Sequence, residues 1–422
     1  MRFKTISLVA IIAAAPGLLH AQFEFKLDGR SVQVHSFASQ GFGYSNDNNY
    51  MTMKTSKGSF AMTDAGANIS TTITDHFRVG AQIYLRNVGN LGNWQPHLDW
   101  AFGDYRFKDW FGIRGGKVKT ALGLFNDMQD NDSLHTFALL PQSVYPTDLR
   151  DATIAHTGGD IYGNIAINRL GRLAYTAYAG HRQDPNDGGY LYLLHDRGIF
   201  MTSYGGLQYG ADLKWTTPFK GVVMGASHMR EEITGTGTGT CNSAPIGCST
   251  WLPVTTQTSA PGATLMGKYE EHSLKDQTNL GYAEYTIGNL RLDGEYRRYW
   301  RDQIAWNGLW EVRADTRGWY TSAAYRFNKW LELGSYYSRY ACMYKRGSLA
   351  ASYDTSLPDH HLYDKTVTAR FDLTKFWIVK VEGHFMDGYG SNQSPIGFYA
   401  PDNPQGFQPN TKLLIVRTGF SF

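Results

Sequence analysis

The 422-residue sequence contains no stretch near the roughly 18 to 20 consecutive apolar residues that a spanning helix requires, which excludes a helical membrane protein. Cysteine is scarce at three residues, and these lack the close pairing of a zinc site. Excess charge is missing too: 40 Lys and Arg against 37 Asp and Glu leave +3, without the strong basic excess of a polyanion-binding protein, so no nucleic-acid partner is expected. Proline is held to 14 residues, which suits long strands. Bulky apolar surface is abundant, by contrast. With 27 Tyr, 22 Phe and 11 Trp the chain cannot be a solvated, disordered tail.

The one compact apolar run, Ile6 to Leu19, follows Arg2 and Lys4 and leads to Leu19-His20-Ala21. A positive end, an apolar middle and a small-residue exit predict a secretory signal peptide over 1–21. Its removal leaves 38 basic against 37 acidic residues, a mature formal charge of +1. The rest, 22–422, reads as a single domain.

In that domain apolar and polar residues alternate with period two over segments of about ten residues, the mark of strands with two unlike faces. Phe77, Val79, Ala81, Ile83 and Leu85 interleave with Arg78, Gly80, Gln82, Tyr84 and Arg86; Val367, Ala369, Phe371 and Leu373 interleave with Thr368, Arg370 and Asp372. Seven tight links, such as Gly288-Asn289 and Asn328-Lys329, alternate with eight long polar connections, the longest at 121–158 and 231–274. Sixteen strands fit this layout, with eighteen the neighbouring count. A sheet survives in hydrocarbon only when closed, because each unpaired backbone group there costs several kcal/mol. The fold class is therefore all-β, a transmembrane antiparallel β-barrel with short turns at one rim and long loops at the other. Trp110, Trp215, Trp330 and Trp377 beside the tight links would form the interfacial girdle on the short-turn side.

Leu414, Val416, Thr418 and Phe420 alternate up to the terminal Phe422, which resembles the C-terminal signature read by the outer-membrane assembly machinery of Gram-negative bacteria. Gly115 to Pro146 contains the run Gly116-Lys117-Val118-Lys119-Thr120-Ala121-Leu122-Gly123-Leu124-Phe125-Asn126-Asp127 and, later, Leu139-Leu140-Pro141-Gln142-Ser143-Val144-Tyr145. This passage looks like the strand-into-third-loop segment of Gram-negative porins, especially the phosphate-selective and dicarboxylate-type ones. The resemblance implies a bacterial outer-membrane channel of sixteen strands, homotrimeric, seated in outer-membrane lipids, needing no cofactor. Its third loop, 121–158, would fold inward to narrow the pore. Two departures stand out: Ala121 occupies a position where Pro is expected, and the long fifth loop, 231–274, carries Cys241 and Cys248.

A channel breaks no bond, so its chemistry is steric and electrostatic filtering at a constriction. Strand parity turns Arg78, Arg86, Arg114, Arg291, Arg297 and Arg370 inward as a basic wall, while the candidate constriction loop carries Asp127, Asp130 and Asp132. Facing one another across a narrow lumen, the two sets would set up a transverse field. The surplus of inward Arg and Lys predicts a weak anion preference among small hydrophilic solutes. Most aromatics fall at apolar parity or strand ends, which assigns them to lipid anchoring. A substrate-specific sugar channel and a non-conducting structural or adhesion barrel are the competing functions. Catalysis is not expected, because no Ser, His and Asp grouping forms a motif with a mechanism. Cys241 and Cys248, with six residues between them and exported to an oxidising compartment, are candidates for a local disulfide, with Cys342 left over as a partner for either. The run Thr234 to Gly239 reads as a flexible loop tract, and no metal site is expected.

Overall fold

A computed structural model describes residues 23–27, 29–196, 198–242, 264–305, 310–346, 356–390 and 396–422. The expected leader 1–21 and Cys248 lie outside the described residues. The strands in chain order begin with β1 (Phe23–Leu27), β2 (Arg30–Ser45), β3 (Ser59–Thr74), β4 (Phe77–Val88), β5 (His97–Lys108), β6 (Phe111–Lys119), β7 (Ala155–Ala166) and β8 (Arg172–Gln183). They continue with β9 (Ile199–Thr216), β10 (Val222–Asn242), β11 (Thr264–Ile287), β12 (Leu290–Ala305), β13 (Trp310–Arg326), β14 (Leu331–Arg346), β15 (His361–Asp372), β16 (Trp377–Gly388) and β17 (Asn410–Ser421).

From β2 to β17 every strand pairs antiparallel with its sequence neighbours, and β17 returns to β2 with Phe420 opposite Ala38 and Leu413 opposite Ser45. The result is a closed barrel of sixteen strands without a free edge, as the lipid environment demands. β1 fills the lane on β2 just past the end of β17: Phe23 faces Val34, while Phe422 and Ser36 exchange backbone hydrogen bonds of 2.7 and 3.0 Å.

The two-faced pattern is realised along the strands. On β4, Gln82, Tyr84, Arg86 and Val88 are buried inside while Ile83 is 56% exposed outside; on β15, Asp364, Thr366 and Thr368 point in while Val367 points out. Trp110, Trp215 and Trp330 sit exposed at the short-turn rim, and Trp377 stacks on Phe420 with ring centroids 5.5 Å apart.

Three expectations need correction. Strands β10 and β11 run on through much of the segment assigned to the fifth loop, so the stretch that neither strand covers is 243–263 and not 231–274. Within β10 the run Thr234 to Gly239 is strand and not a flexible tract: each Thr faces outward and Gly235, Gly237 and Gly239 face in. A Cβ on Gly235 would come within 2.3 Å of Met201 Cε, so the inner glycines make room for side chains of the barrel interior while β-branched Thr holds the strand. Third, many tyrosines face the lumen and not lipid. Tyr145, Tyr178, Tyr282, Tyr320 and Tyr336 are all buried inside the barrel, as is Tyr84, which alternation places on the inner face.

Apolar clusters also enter the lumen, which alternation alone does not foretell. Loop 1 (46–58) and loop 8 (389–409) bring Tyr50, Met51, Ile396 and Phe398 onto Met386, Leu413 and Ile415 of the inner wall. In loop 4 (184–198), helix α1 (Gly189–Asp196) packs Leu191 and Leu194 on Met201, Tyr204 and Ile233.

Candidate functional site

Loop 3 (120–154) follows β6, within which Gly116 adopts φ +125°; a Cβ there would lie 2.2 Å from the Ala101 carbonyl oxygen, so the close passage beside β5 needs glycine. The loop then crosses the barrel interior. Leu122, Leu124, Phe125, Val144 and Tyr145 pack on Tyr178, Met229, Leu280, Tyr282 and Tyr320 of the far wall. Glu295 of β12 binds this limb from below: it accepts the Leu124 N–H at 3.1 Å and the Tyr145 and Tyr320 hydroxyls at 2.7 and 2.6 Å. Four strands further round the wall, Glu382 of β16 accepts the Ala138 and Leu139 N–H groups at 2.8 and 2.9 Å. Two buried carboxylates thus hold the loop against the wall at two places, on β12 and on β16.

The three predicted loop aspartates do different things. Asp130 is buried, bonded to Arg150 and, at 2.8 Å, to Lys119; Arg150 also reaches Asp99 of β5 at 2.6 Å. The guanidinium and ammonium hold the Asp130 carboxyl well below the usual range despite its burial. Asp132 is buried too, 2.5 Å from Arg417 and 3.6 Å from Lys380, and its carboxyl is likewise lowered. Beside it, burial and Lys380 push the His135 imidazole down to about 3, so it is neutral at working pH. Asp127 alone is exposed, in a cavity of about 370 Å³ that it shares with Arg78 and Arg114 below the loop.

The predicted basic wall is not brought together at one height. Arg78 and Arg114 share that cavity, whereas Arg370 lines a separate one of about 480 Å³ with Lys329, Lys375 and Asp372. Five of the six are neutralised by carboxylates: Arg78 by Asp104 at 3.3 Å, Arg86 by Asp151 at 2.5 Å, Arg114 by Asp160 at 3.0 Å, Arg291 by Asp293 at 3.0 Å and Arg370 by Asp372 at 2.9 Å. Arg297 instead donates to the Val144 carbonyl of loop 3 at 3.0 Å. A single basic wall facing a single acidic loop is therefore not the arrangement found. Arg86, for its part, is a buried anchor that also donates to the Thr147 carbonyl at 2.8 Å.

Sequence reasoning missed Arg150, Lys119, Asp99 and the two anchoring glutamates as a set. One signal was available: Arg150 is the single Lys or Arg between 120 and 154, among five aspartates. Cys241 lies on β10, and Cys342 is buried on β14 with its sulfur 3.5 Å from the Thr316 hydroxyl. The terminal Phe420 and Phe422 stack, with centroids 6.4 Å apart, and Phe422 also stacks on Phe376. Among the described residues no group of His, Cys, Asp or Glu is arranged to hold a metal ion.

No protein-family model and no curated protein matches the sequence. Solved structures do match. An anion-selective porin from Comamonas acidovorans superposes with a TM-score of 0.55 at 11% identity, covering 93% of this chain and 100% of that one. OmpF of Salmonella typhi, solved in complex with daunomycin, gives 0.53 at 13% over 95% and 100%. OmpT, an outer membrane protein of Vibrio cholerae, gives 0.55 at 11% over 95% and 100%. At these identities the likeness is one of fold: a sixteen-strand outer-membrane barrel of the porin kind.

Proposed function

We propose that the protein is an outer-membrane porin, a water-filled channel through which small hydrophilic solutes and ions diffuse passively. The observation that carries this reading is loop 3 lying inside a closed sixteen-strand barrel and fastened to its inner wall at β12 by Glu295 and at β16 by Glu382. A barrel of this strand number encloses an aqueous lumen unless something narrows it, and an anchored inward loop narrows it without a separate plug domain. In this reading loop 3 is the constriction, without 155–158 of the expected 121–158 because these belong to β7, with Asp127, Arg78 and Arg114 meeting the solute and with Asp130, Asp132 and Arg150 holding the loop in place. A weak anion preference is supported by Arg297, which has no carboxylate partner among the described residues, and by the basic surplus of Lys329, Arg370 and Lys375 over Asp372 near the short-turn rim. The solved relative from Comamonas is itself described as anion-selective.

The same reading makes the chain a homotrimer exported by a leader over 1–21, with Phe420 and Phe422 as its assembly signal; one OmpT structure is of a trimer form. It assigns transport and no catalysis. A substrate-selective channel, the second reading, is favoured by the tyrosines that line the lumen. Proteoliposomes carrying the purified protein should swell in neutral sugars at rates that fall steeply with sugar size, while charged solutes of similar size enter faster as anions than as cations. Absence of swelling with the smallest sugars from correctly folded protein would sink the porin reading.

A further inference from the structure

On the extracellular side of loop 3 lies a pocket between that loop and the wall of β8, β10, β12 and β13, flanked by Tyr190 of α1 and Ile396 of loop 8. Three guanidiniums reach it, in different states. Arg182 is held by Asp184 at 2.8 Å and by Glu231. Arg301 lies 3.3 Å from Asp276 and donates to the Tyr299 hydroxyl at 2.9 Å. Arg297 is in no ion pair among the described residues: Nη1 donates to the Val144 carbonyl, and Nε is buried with no hydrogen-bond partner. A buried donor without a partner calls for a ligand or an explanation. The pocket around it is walled by Tyr299, Tyr340, Pro146, Leu149 and Ile396, with the polar side chains of Gln142 and Thr316 beside them. The Tyr299 ring stands between two guanidiniums, with Arg297 Cζ at 5.6 Å and Arg301 Cζ at 5.7 Å from its centroid.

We propose that this pocket is a binding station for an organic monoanion, a single carboxylate carried on a flat or compact apolar body; the proposal rests on the channel reading and names its preferred solute. A guanidinium fork matches a carboxylate in plane and spacing, and Arg297 is the one of the three whose charge is not already answered. The aromatic and aliphatic walls suit the body of such a solute. Glu231 lines the same pocket, so a second negative charge on the solute would meet a carboxylate. Doubly charged phosphate and short dicarboxylates are therefore disfavoured, in contrast to what the resemblance to phosphate-selective and dicarboxylate-type porins implies.

The test uses benzoate, succinate and inorganic phosphate against the purified protein, read as block of the chloride-salt current in planar bilayers and as heat of binding in detergent. Benzoate should bind and half-block at a concentration about tenfold below those of the other two, as loss of one charge-assisted contact would imply. Arg297→Gln should weaken benzoate about tenfold, Arg297→Lys by less, and Glu231→Gln should narrow the gap between benzoate and succinate. Succinate or phosphate binding as tightly as benzoate overturns the proposal. So does an Arg297→Gln protein that keeps the heat-modifiable migration of a folded barrel and binds benzoate undiminished. Where Arg297→Gln does not fold, an unchanged benzoate-to-succinate ratio in Glu231→Gln overturns it instead. Current without benzoate binding removes the pocket and leaves the channel; no current at all removes the channel, and the calorimetry then decides the pocket by itself.

Discussion

At the scale of single residues the lumen is governed by how its carboxylates are answered. Some pair with arginine, and others accept a phenol: Tyr282 binds Asp212 at 3.0 Å, Tyr162 binds Asp104 at 2.6 Å, and Tyr399 binds Asp148 at 2.8 Å. Tyrosine brings a large apolar body with one polar tip, so it fills the interior and satisfies an acid at once. That dual character is why parity misassigned it. A tyrosine on the inner face looks like a lapse in alternation when read as a purely apolar side chain. The charges were legible as residue types, but their pairing was not, because Asp132 meets Arg417 and Glu382 meets Leu139 across more than two hundred residues of chain. Arg150 provides the sharpest check. It is buried between Asp99 and Asp130, and its removal leaves Lys119 as the one cation near both carboxylates among the described residues, a cost of at most about 3–5 kcal/mol. Arg150→Ala should therefore release loop 3 to protease cleavage in a barrel that remains folded. Arg150→Lys, which loses the forked geometry, should be intermediate. Cleavage no faster than in the parent would show that the guanidinium does not hold the loop.

At the scale of elements, sixteen strands and the alternation of tight turns with longer connections were readable because lipid and water impose opposite demands on successive residues. β4 and β15 obey that rule along their length. It misled in β10, where Thr and Gly were taken for loop residues: composition suggested a loop, yet the period was two. The loops were less readable, since an apolar residue such as Tyr50 or Phe398 in a loop carries no period to show what it packs against. Loop 8 joins three other loops: Met51 N–H donates to the Gly397 carbonyl at 2.6 Å, Asp148 of loop 3 accepts the Gly397 N–H at 2.8 Å, and Tyr192 of α1 reaches Asp402 at 3.4 Å. Burial, with Asp196 nearby, pushes the Asp402 carboxyl up to about 6, against the opposing pull of Lys54 and the Tyr192 hydroxyl. A carboxyl whose pKa is raised by folding binds its proton more tightly in the folded state, so the loop 4 to loop 8 contact gains stability as pH falls from about 6 towards 4 and loses it as pH rises. Hydrogen exchange in loop 8 should accordingly be slower at pH 5 than at pH 7 after correction for intrinsic rates, and Asp402→Asn should abolish the difference. Equal protection at both pH values in the parent protein would contradict this.

At the scale of the whole molecule, a mean hydropathy of -0.38 and near-neutral charge belong to a protein that turns one face to lipid and the other to water. The closed ring of β2 to β17 removes every sheet edge, and the inward loops decide how much of the enclosed space remains open. Loop 3 touches the wall near β12 and near β16 and leaves cavities with separate charge linings beneath it, so the lumen is a set of chambers around an anchored loop and not one slit between two charged walls. The central claim, that water and ions cross this barrel past loop 3, is tested most directly by single-channel recording of the purified protein in a planar bilayer. Conductance steps grouped in threes, with a reversal potential under a salt gradient displaced toward chloride, are the predicted result. Folded, heat-modifiable protein that inserts and gives no steps would contradict it and identify a barrel sealed by its own loops.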